Sequence, residues 1–264
     1  MKRIVFGDVH GAAYELEGLL HRMTLGERGY EVWSVGDLFD RGLHAAKVWH
    51  LIEEYGIKSV LGNHERKMLK FLQGEIDSLP LHYYVAFDDL DSAGVLPEVL
   101  EAYIAGMPLL VDFGEYIITH GGVLIDFPSV PDISANVYGN LESAKRMPRP
   151  EVDGHPDGQS YWWDEYKGSK VIIYGHLVTG DNNPRIRYID GKINSIGLDG
   201  AAVHGGNMLG VKIDDSGVFE CFSFSSGRDW FKECKTKIGQ GKWDLNTRYA
   251  EYAKRAREGR KLIT

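Results

Sequence analysis

Residues that could bind metal ions recur along the chain in one setting: a short apolar run, a glycine, and then acidic, amide or imidazole side chains. Five segments have this setting: Gly7-Asp8-Val9-His10-Gly11, Gly36-Asp37-Leu38-Phe39-Asp40-Arg41-Gly42, Gly62-Asn63-His64-Glu65, Thr119-His120-Gly121-Gly122 and Tyr174-Gly175-His176. Oxygen ligands mixed with imidazole nitrogens suit Mn, Fe or Zn better than Ca or Mg. Two such ions about 4 Å apart can clamp a phosphoryl group and lower the pKa of a shared water. These residue types therefore predict metal-dependent chemistry on a phosphate.

The spacing inside the segments indicates how the ligands could be shared. Asp8 and His10 are two residues apart, so in an extended segment they project to the same side and could hold one ion. Asp37 has two carboxylate oxygens and could bridge two ions. Asn63 offers a neutral amide oxygen, and the histidines of the two later segments offer imidazole nitrogens.

The apolar runs before the first three segments predict strands that alternate with helices. Strands are predicted at residues 3–6, 31–35 and 57–61, and helices at 12–23, 43–55 and about 65–72. Strands separated by helices of this length are typical of βαβ units and a parallel sheet. The carboxyl ends of parallel strands lie along one edge, where ligand sites form. We therefore expect the five segments to bring their side chains to one place.

The rest of the chain is predicted to add further strands to the same domain. Residues 81–105 have a helical pattern, and strands are predicted at 109–113, 116–119, 170–174, 185–189, 192–196, 209–213 and 218–224. Residues 121–168 are a loop-rich insert, and a loop of that length in a compact domain is usually functional or flexible. A charged helix is expected at about 244–262. Because no repeat, low-complexity tract or linker interrupts the sequence, residues 1–264 are interpreted as a single domain.

Composition excludes several classes of protein. The 264 residues are 43% hydrophobic and 26% charged, which is typical of a globular protein, and the net charge is −8. An acidic surface argues against coating nucleic acid, because such binding rests on Lys and Arg that neutralise phosphates. The sequence has no apolar run of about eighteen residues and no signal-peptide core, so a cytoplasmic protein without a membrane span is predicted. Its two cysteines are expected to be reduced thiols.

Taken in order, the five segments resemble the motifs of the calcineurin-like metallophosphoesterase superfamily. Asp40-Arg41-Gly42 is similar to the phosphoprotein phosphatase branch, which includes bacterial and phage Ser/Thr phosphatases and symmetrical diadenosine tetraphosphatases. The resemblance runs from Asp8 to His176, about two thirds of the chain. It implies an α/β fold, a four-layer αββα sandwich of two mixed sheets flanked by helices. It also implies two divalent metal ions, with Mn expected and Fe or Zn open.

The resemblance also implies a role for each site residue. His64 would protonate the leaving oxygen, Asp40 would hold its imidazole in place and protonated, and Arg41 would grip the phosphate. A metal-bridging hydroxide would attack directly, without a covalent enzyme intermediate. The implied metal ligands are Asp8, His10 and Asp37 for the first ion, and Asp37, Asn63, His120 and His176 for the second.

The chain departs from the protein phosphatase pattern where an arginine is expected. Leu61 stands before Gly62-Asn63, and Trp163 stands in the aromatic segment that follows His-Gly-Gly. A second phosphate-binding arginine is therefore missing from the pattern, and Arg146 and Arg149 could replace it or form a solvated basic cluster. The aromatic residues around Trp163 could stack a nucleobase or pack the loop.

The remaining histidines divide into two groups. His204, in Val203-His204-Gly205-Gly206-Asn207, has a glycine context and marks a late loop that could face the site and contact substrate. The other five lack this context and are interpreted as surface histidines or as histidines with satisfied hydrogen bonds: His21, His44, His50, His82 and His155.

Three functions are compatible with these features. The first is a phosphatase acting on phosphomonoesters, with phosphorylated Ser or Thr in proteins as the expected substrate. The alternative is a bis(5'-nucleosyl)-tetraphosphatase-type pyrophosphohydrolase. Leu61 favours this alternative, whereas Glu65 disfavours it, because that subgroup is expected to have Asp in place of Glu65. The third is a non-catalytic scaffold, which the intact ligand set disfavours. Physiological substrate, native metals and oligomeric state stay open.

Overall fold

The computed structural model describes residues 2–25, 29–139, 161–241 and 247–261, and its ten strands form two mixed sheets. In chain order the strands are β1 (Arg3–Phe6), β2 (Glu31–Ser34), β3 (Lys58–Ser59), β4 (Leu110–Asp112), β5 (Tyr116–Thr119), β6 (Val171–Tyr174), β7 (Arg185–Ile189), β8 (Lys192–Gly197), β9 (Met208–Ile213) and β10 (Phe219–Phe224). The first sheet has the order β10-β9-β1-β2-β3, and the second has the order β4-β5-β6-β8-β7.

Each sheet has a parallel centre and antiparallel edge strands. In the first sheet β1, β2 and β3 run parallel, while β9 is antiparallel to β1 and β10 to β9. In the second, β5, β6 and β8 run parallel, and β4 and β7 pair antiparallel to them. Five of these six parallel strands, all except β8, precede the five segments, so their carboxyl ends can supply one site.

The helices cover the outer faces of the sheets, as far as the described residues show. They are α1 (Ala13–Thr24), α2 (Ala45–Tyr55), α3 (Asn63–Leu72), α4 (Leu81–Ser92), α5 (Pro97–Ala105), α6 (Ile133–Tyr138), α7 (Trp162–Glu165), α8 (Trp230–Gln240) and α9 (Arg248–Lys261). Along β1, Ile4 and Phe6 pack towards the helices, whereas Val5 packs between the sheets with Ile118 and Ile173. The aromatic residues of α7 pack on the outer face of the second sheet. This alternation confirms the predicted fold class of two mixed sheets flanked by helices.

The structure differs from the sequence prediction in several elements. Helix α8 was not predicted, and the helical region 81–105 is divided into α4 and α5, where Gly94 has a φ of 82° and Pro97 begins the second helix. The region 121–168 contains α6 and α7, and its residues 140–160, which include Arg146, Arg149 and His155, lie outside the described residues. The charged terminal helix is α9. None of the described helices is long and apolar enough to cross a bilayer.

Candidate metal centre and active site

The predicted ligands converge where the strands of the two sheets end. Asp8 and His10 follow β1, Asp37 follows β2, and the histidines of the two later segments follow β5 and β6. Two groups of ligating atoms result, each with its atoms within 4.8 Å of one another: Asp8, His10 and Asp37 form one, and Asp37, His120 and His176 form the other. Asp37 belongs to both groups, as a bridging carboxylate would.

Asn63 completes the second group. Its Oδ1 atom lies 2.9 Å from His120 Nε2 and 3.0 Å from His176 Nδ1, so one amide oxygen faces two imidazole nitrogens. The residue is the first of α3, which begins directly after Gly62. All six side chains that the sequence predicted as ligands are therefore found in one place.

The backbone at the site is held in an uncommon conformation. His10, Asp37, Arg41 and His176 have φ values of 49°, 57°, 70° and 65°, in the left-handed region that non-glycine residues seldom adopt. They are four of the seven described non-glycine residues with positive φ. Such conformations cost free energy, persist only when the surroundings enforce them, and cluster at functional sites.

Two glycines are required because carboxylates lie directly against them. A Cβ atom on Gly62 would overlap Asp37 Oδ1, and one on Gly175 would overlap Asp8 Oδ1. Any side chain at these positions would push a candidate ligand out of place. These two glycines, which mark segments in the sequence, thus make room for the candidate metal ligands themselves.

Hydrogen bonds from outside the ligand groups fix the orientation of the ligands. The Glu65 carboxylate accepts the N–H groups of Asp37 and Leu38, both at 2.7 Å. His120 Nδ1 lies 2.8 Å from the carbonyl oxygen of Val35, and this contact leaves its Nε2 atom to face the site. Outer contacts of this kind set the tautomer and direction of metal ligands.

The imidazoles of the ligand groups are held neutral. Burial, followed by the positive charge of Arg41, lowers the pKa of His10 to about 4. Burial and the neighbouring His120 lower the pKa of His176 to about 3, and burial also lowers the pKa of His120. Neutral imidazoles present lone pairs, which is the form that binds a metal ion.

The carboxylates of the site crowd together. Burial and the negative charges of Asp199 and Asp37 raise the pKa of Asp8 well above its usual range, whereas the pKa of Asp37 is lowered because neighbouring imidazoles outweigh its burial. Asp199 follows β8, is buried, and has a pKa raised to about 6, chiefly by burial. Asp199 was not among the residues predicted from the sequence, although Leu198-Asp199-Gly200 repeats the pattern of a strand followed by Asp and Gly.

Two further buried side chains, His64 and Asp40, adjoin the two ligand groups. His64 Nδ1 lies 2.6 Å from Asp40 Oδ2, and Asp40 Oδ1 lies 3.2 Å from His10 Nδ1. Burial lowers the pKa of His64, but the charges of Asp40 and Asp37 outweigh it and raise the pKa to about 9. At neutral pH His64 is therefore an imidazolium that can give up a proton, and Asp40 orients it.

His82 also contacts Asp40, which corrects its interpretation as a surface or satisfied histidine. Its Nδ1 atom lies 2.9 Å from Asp40 Oδ2, although it has no well-aligned hydrogen-bond partner among the described residues. His82 is the second residue of α4, and the packing of that helix, which no local motif signals, brings it to the site. Tyr83 follows, with its hydroxyl 3.0 Å from His64 Nδ1.

Arg41 is positioned to bind an anion. Its two terminal nitrogens lie 3.0 Å from His10 Nε2 and 3.0 Å from His64 Nε2, so the guanidinium spans the ligand groups and the candidate acid. A phosphate would offer it charge-assisted, bidentate hydrogen bonds, whereas the protonated ring of His64 has no lone pair with which to accept one.

The two positions that lack an arginine are both packed into the protein. Leu61 is buried in the main core, and its N–H donates to the carbonyl oxygen of Pro108 at 2.8 Å. Trp163 is 4% exposed and stacks on Tyr161 and Tyr174, with ring centroids 4.3 and 5.3 Å apart. Of the two interpretations of this aromatic segment, the structure supports packing over stacking of a nucleobase.

The donor set fits divalent metal ions. It combines buried carboxylates, an amide oxygen and neutral imidazoles in two groups that share Asp37. Burial, with the neighbouring negative charges, raises the pKa of Asp8, and a cation would relieve that charge repulsion. The residues that could hold two cations are Asp8, His10, Asp37, Asn63, His120 and His176.

Among known proteins, this chain is similar in sequence to tetraphosphatases of Bacillus. The asymmetrical bis(5'-nucleosyl)-tetraphosphatases PrpE of Bacillus cereus (strain B4264) and Bacillus mycoides (strain KBAB4) are 26% and 27% identical to this chain. In both cases 80% of this chain and 90% of the relative are covered.

Solved structures share the fold. One, provisionally described as a diadenosine tetraphosphatase, has a TM-score of 0.61 and 21% identity, and covers 85% of this chain and 94% of its own. A protein serine/threonine phosphatase from Saccharomyces cerevisiae, with similarity to human phosphatase PP5, has a TM-score of 0.52 and 15% identity, and covers 86% and 80%.

A family model described as calcineurin-like phosphoesterase matches residues 1–203, which is most of the chain. The match includes all five segments that form the site. This chain belongs to the calcineurin-like phosphoesterase family, whose members are metal-dependent hydrolases.

Proposed function

We propose that this chain is a metal-dependent nucleotide pyrophosphohydrolase of the bis(5'-nucleosyl)-tetraphosphatase type. The metal-dependent hydrolysis is supported by one observation: two ligand groups share Asp37, and His64 and Arg41 lie beside them. The substrate class rests on the relatives named as bis(5'-nucleosyl)-tetraphosphatases, which align over 90% of their length.

Two divalent ions, with Mn as the first candidate, would be held by the six ligands. Asp8 and His10 would bind one ion, Asn63 and the two later histidines the other, and Asp37 would bridge them. When bound, the ions would neutralise phosphate charge and provide an activated water. The left-handed backbone at several ligands is consistent with a site that is shaped before the metals arrive.

The chain's own residues then account for the rest of the reaction. Arg41 would bind the non-bridging oxygens of the attacked phosphate and orient it. The oxygen of the water, which gives up a proton to solvent, would form the new bond to phosphorus as the bond from phosphorus to the leaving oxygen breaks. His64 transfers its proton to that leaving oxygen, and Asp40 stabilises the imidazolium before the transfer.

A phosphoprotein phosphatase, which was the first expectation from the sequence, is now the second candidate. Glu65 and Leu61, the two residues weighed between these substrates in the sequence, have structural roles that do not depend on the substrate. Glu65 binds the backbone of Asp37 and Leu38, so its presence in place of Asp is no argument against a dinucleotide. Leu61 packs in the core. The yeast phosphatase, at 15% identity, shares the fold, and that likeness alone does not favour its substrate.

A substrate comparison tests the proposal. Purified protein saturated with Mn would be offered diadenosine tetraphosphate, a phosphoserine peptide and p-nitrophenyl phosphate, and kcat/KM would be measured for each. We expect the highest kcat/KM for the dinucleotide. A higher value for the phosphopeptide would replace the proposal with the second candidate, and no turnover of any substrate by metal-loaded protein would favour a scaffold.

A further inference from the structure

A row of ring and cationic side chains leads from Asp40 towards the surface. It consists of His82 from α4, His204 at the end of a short 3-10 helix (Ala202–His204), and Phe231 and Lys235 from α8, and we call it the α8 ledge. The ring of His82 lies 5.9 Å from that of Phe231, which lies 5.2 Å from that of His204. Lys235 Nζ lies 4.0 Å from the centre of the Phe231 ring.

The outer part of the ledge is accessible and its inner end is not. His204 and Lys235 are exposed and Phe231 is half-buried, whereas the side chain of His82 is 18% exposed. A ligand that reached from the site into solvent would therefore meet an aromatic ring and a cation outside the catalytic residues.

The ledge is held in place by contacts beneath it. Trp230, next to Phe231, is 1% exposed and donates from Nε1 to Glu15 Oε2 at 2.8 Å. The Asp229 carboxylate caps α8 by accepting the N–H of Lys232 at 2.8 Å. Such fixed positions reduce the ordering cost of binding.

The inner end of the ledge lies beside the candidate acid. Asp40 Oδ2 contacts both His64 Nδ1, at 2.6 Å, and His82 Nδ1, at 2.9 Å. The inner end of the ledge thus shares a carboxylate oxygen with the candidate acid.

A general acid must adjoin the leaving oxygen, so the rest of the leaving group extends past His64 and its neighbours. We infer that the α8 ledge binds this leaving group, and that the leaving group is a nucleotide. Its phosphates contact Lys235 and His204, and its base stacks on Phe231. An aromatic ring paired with a cation suits a nucleotide, because bases stack on such rings and phosphates bind cations. A serine or p-nitrophenyl leaving group has no phosphate for Lys235 and His204 to bind.

The inference rests on the proposed function, but it can be tested without turnover of a dinucleotide. ATP and inorganic phosphate would each be titrated as inhibitors of p-nitrophenyl phosphate hydrolysis at saturating Mn. Phe231→Leu removes the stacking ring, and Lys235→Ala removes the cation. Each is expected to raise the inhibition constant of ATP about tenfold, as the loss of one stacking or charge-assisted contact does. The inhibition constant of phosphate should change far less.

Controls separate binding from folding. Lys237→Ala changes another exposed lysine of α8, two residues further along and thus on a different side of the helix, and should leave both inhibition constants as in the wild type. Phe231→Tyr keeps a ring and should restore ATP inhibition. Equal changes for ATP and phosphate, or unchanged ATP inhibition in both Phe231→Leu and Lys235→Ala, would overturn the inference.

The two proposals fail in different ways. If the wild-type protein does not hydrolyse diadenosine tetraphosphate, the proposed function falls, whatever the ATP titrations give. If it does hydrolyse the dinucleotide, but ATP inhibits it no more strongly than phosphate does, the ledge does not bind a nucleotide and only this inference falls.

Discussion

The candidate metal centre and the α8 ledge adjoin each other but are built in different ways. The metal centre lies at strand ends, its ligands are mostly buried, and its backbone is held in left-handed conformations. The ledge is carried by two helices and a loop, and its outer side chains are exposed. On the two proposals, the chemistry depends on buried groups fixed by the backbone, whereas the choice of substrate depends on exposed side chains with fewer constraints.

The largest effect is expected from Asp37, because both ligand groups share it. Asp37→Ala should abolish binding of both metals and lower kcat by at least about 10⁴-fold, a part of the usual enzymatic rate enhancement. Metal content and p-nitrophenyl phosphate turnover measure this. Asp88→Ala, an exposed aspartate of α4, is the matched control and should behave as the wild type. Retention of both metals by Asp37→Ala would show that the two groups do not form one centre.

The next largest effect separates acid catalysis from metal binding. His64→Asn should keep both metals and lower kcat by about 10²–10⁴-fold, the usual contribution of a general acid. The loss should be greater for an alkyl phosphate than for p-nitrophenyl phosphate, since an alkoxide is the poorer leaving group. His50→Asn, whose side chain is 72% exposed, serves as the control. If His64→Asn loses metal, His64 belongs to the metal centre.

The pH dependence tests how Asp40 acts on His64. The pKa of His64 is raised to about 9, so the imidazolium needed for proton transfer persists at neutral pH and is lost as pH rises through that value. Asp40→Asn removes an opposite charge, and the alkaline limb of kcat should therefore move to lower pH by about 1–3 units. An unmoved limb in metal-saturated protein would assign it to another group.

The smallest effect on activity is expected from Glu15, which holds the ledge in place through Trp230. Glu15→Ala leaves the buried N–H of Trp230 without its acceptor and should reduce the free energy of unfolding by about 1–3 kcal/mol, measured by urea denaturation. ATP inhibition should weaken, while kcat for p-nitrophenyl phosphate stays near that of the wild type. Glu53→Ala, exposed on α2, should change neither. A kcat loss as large as the loss of ATP inhibition would mean that the two regions are not separable.

Sequence patterns pointed to the candidate metal centre because its signals are local. A strand, a glycine and a ligand lie within a few residues of one another, and Gly62 and Gly175 are required where Asp37 and Asp8 approach them. The parallel order of β1, β2 and β3 then follows from the alternation with helices, and it places the strand ends on one edge.

Of the ledge, the same patterns singled out only His204, because the signals of its other residues are tertiary. His82 gains its role from the packing of α4 against the site, and no neighbouring glycine or acid marks it. Helix α8 has only a few apolar positions, and its fixed geometry depends on Glu15, 215 residues away from Trp230. Asp199 has no histidine beside it in the sequence, so its short motif was not recognised. Its negative charge nevertheless raises the pKa of Asp8.

The most direct test of the central claim is anomalous diffraction from crystals grown with Mn. The account predicts two anomalous peaks, one on each side of the Asp37 carboxylate and about 4 Å apart. A single peak, or peaks distant from Asp37, would contradict it.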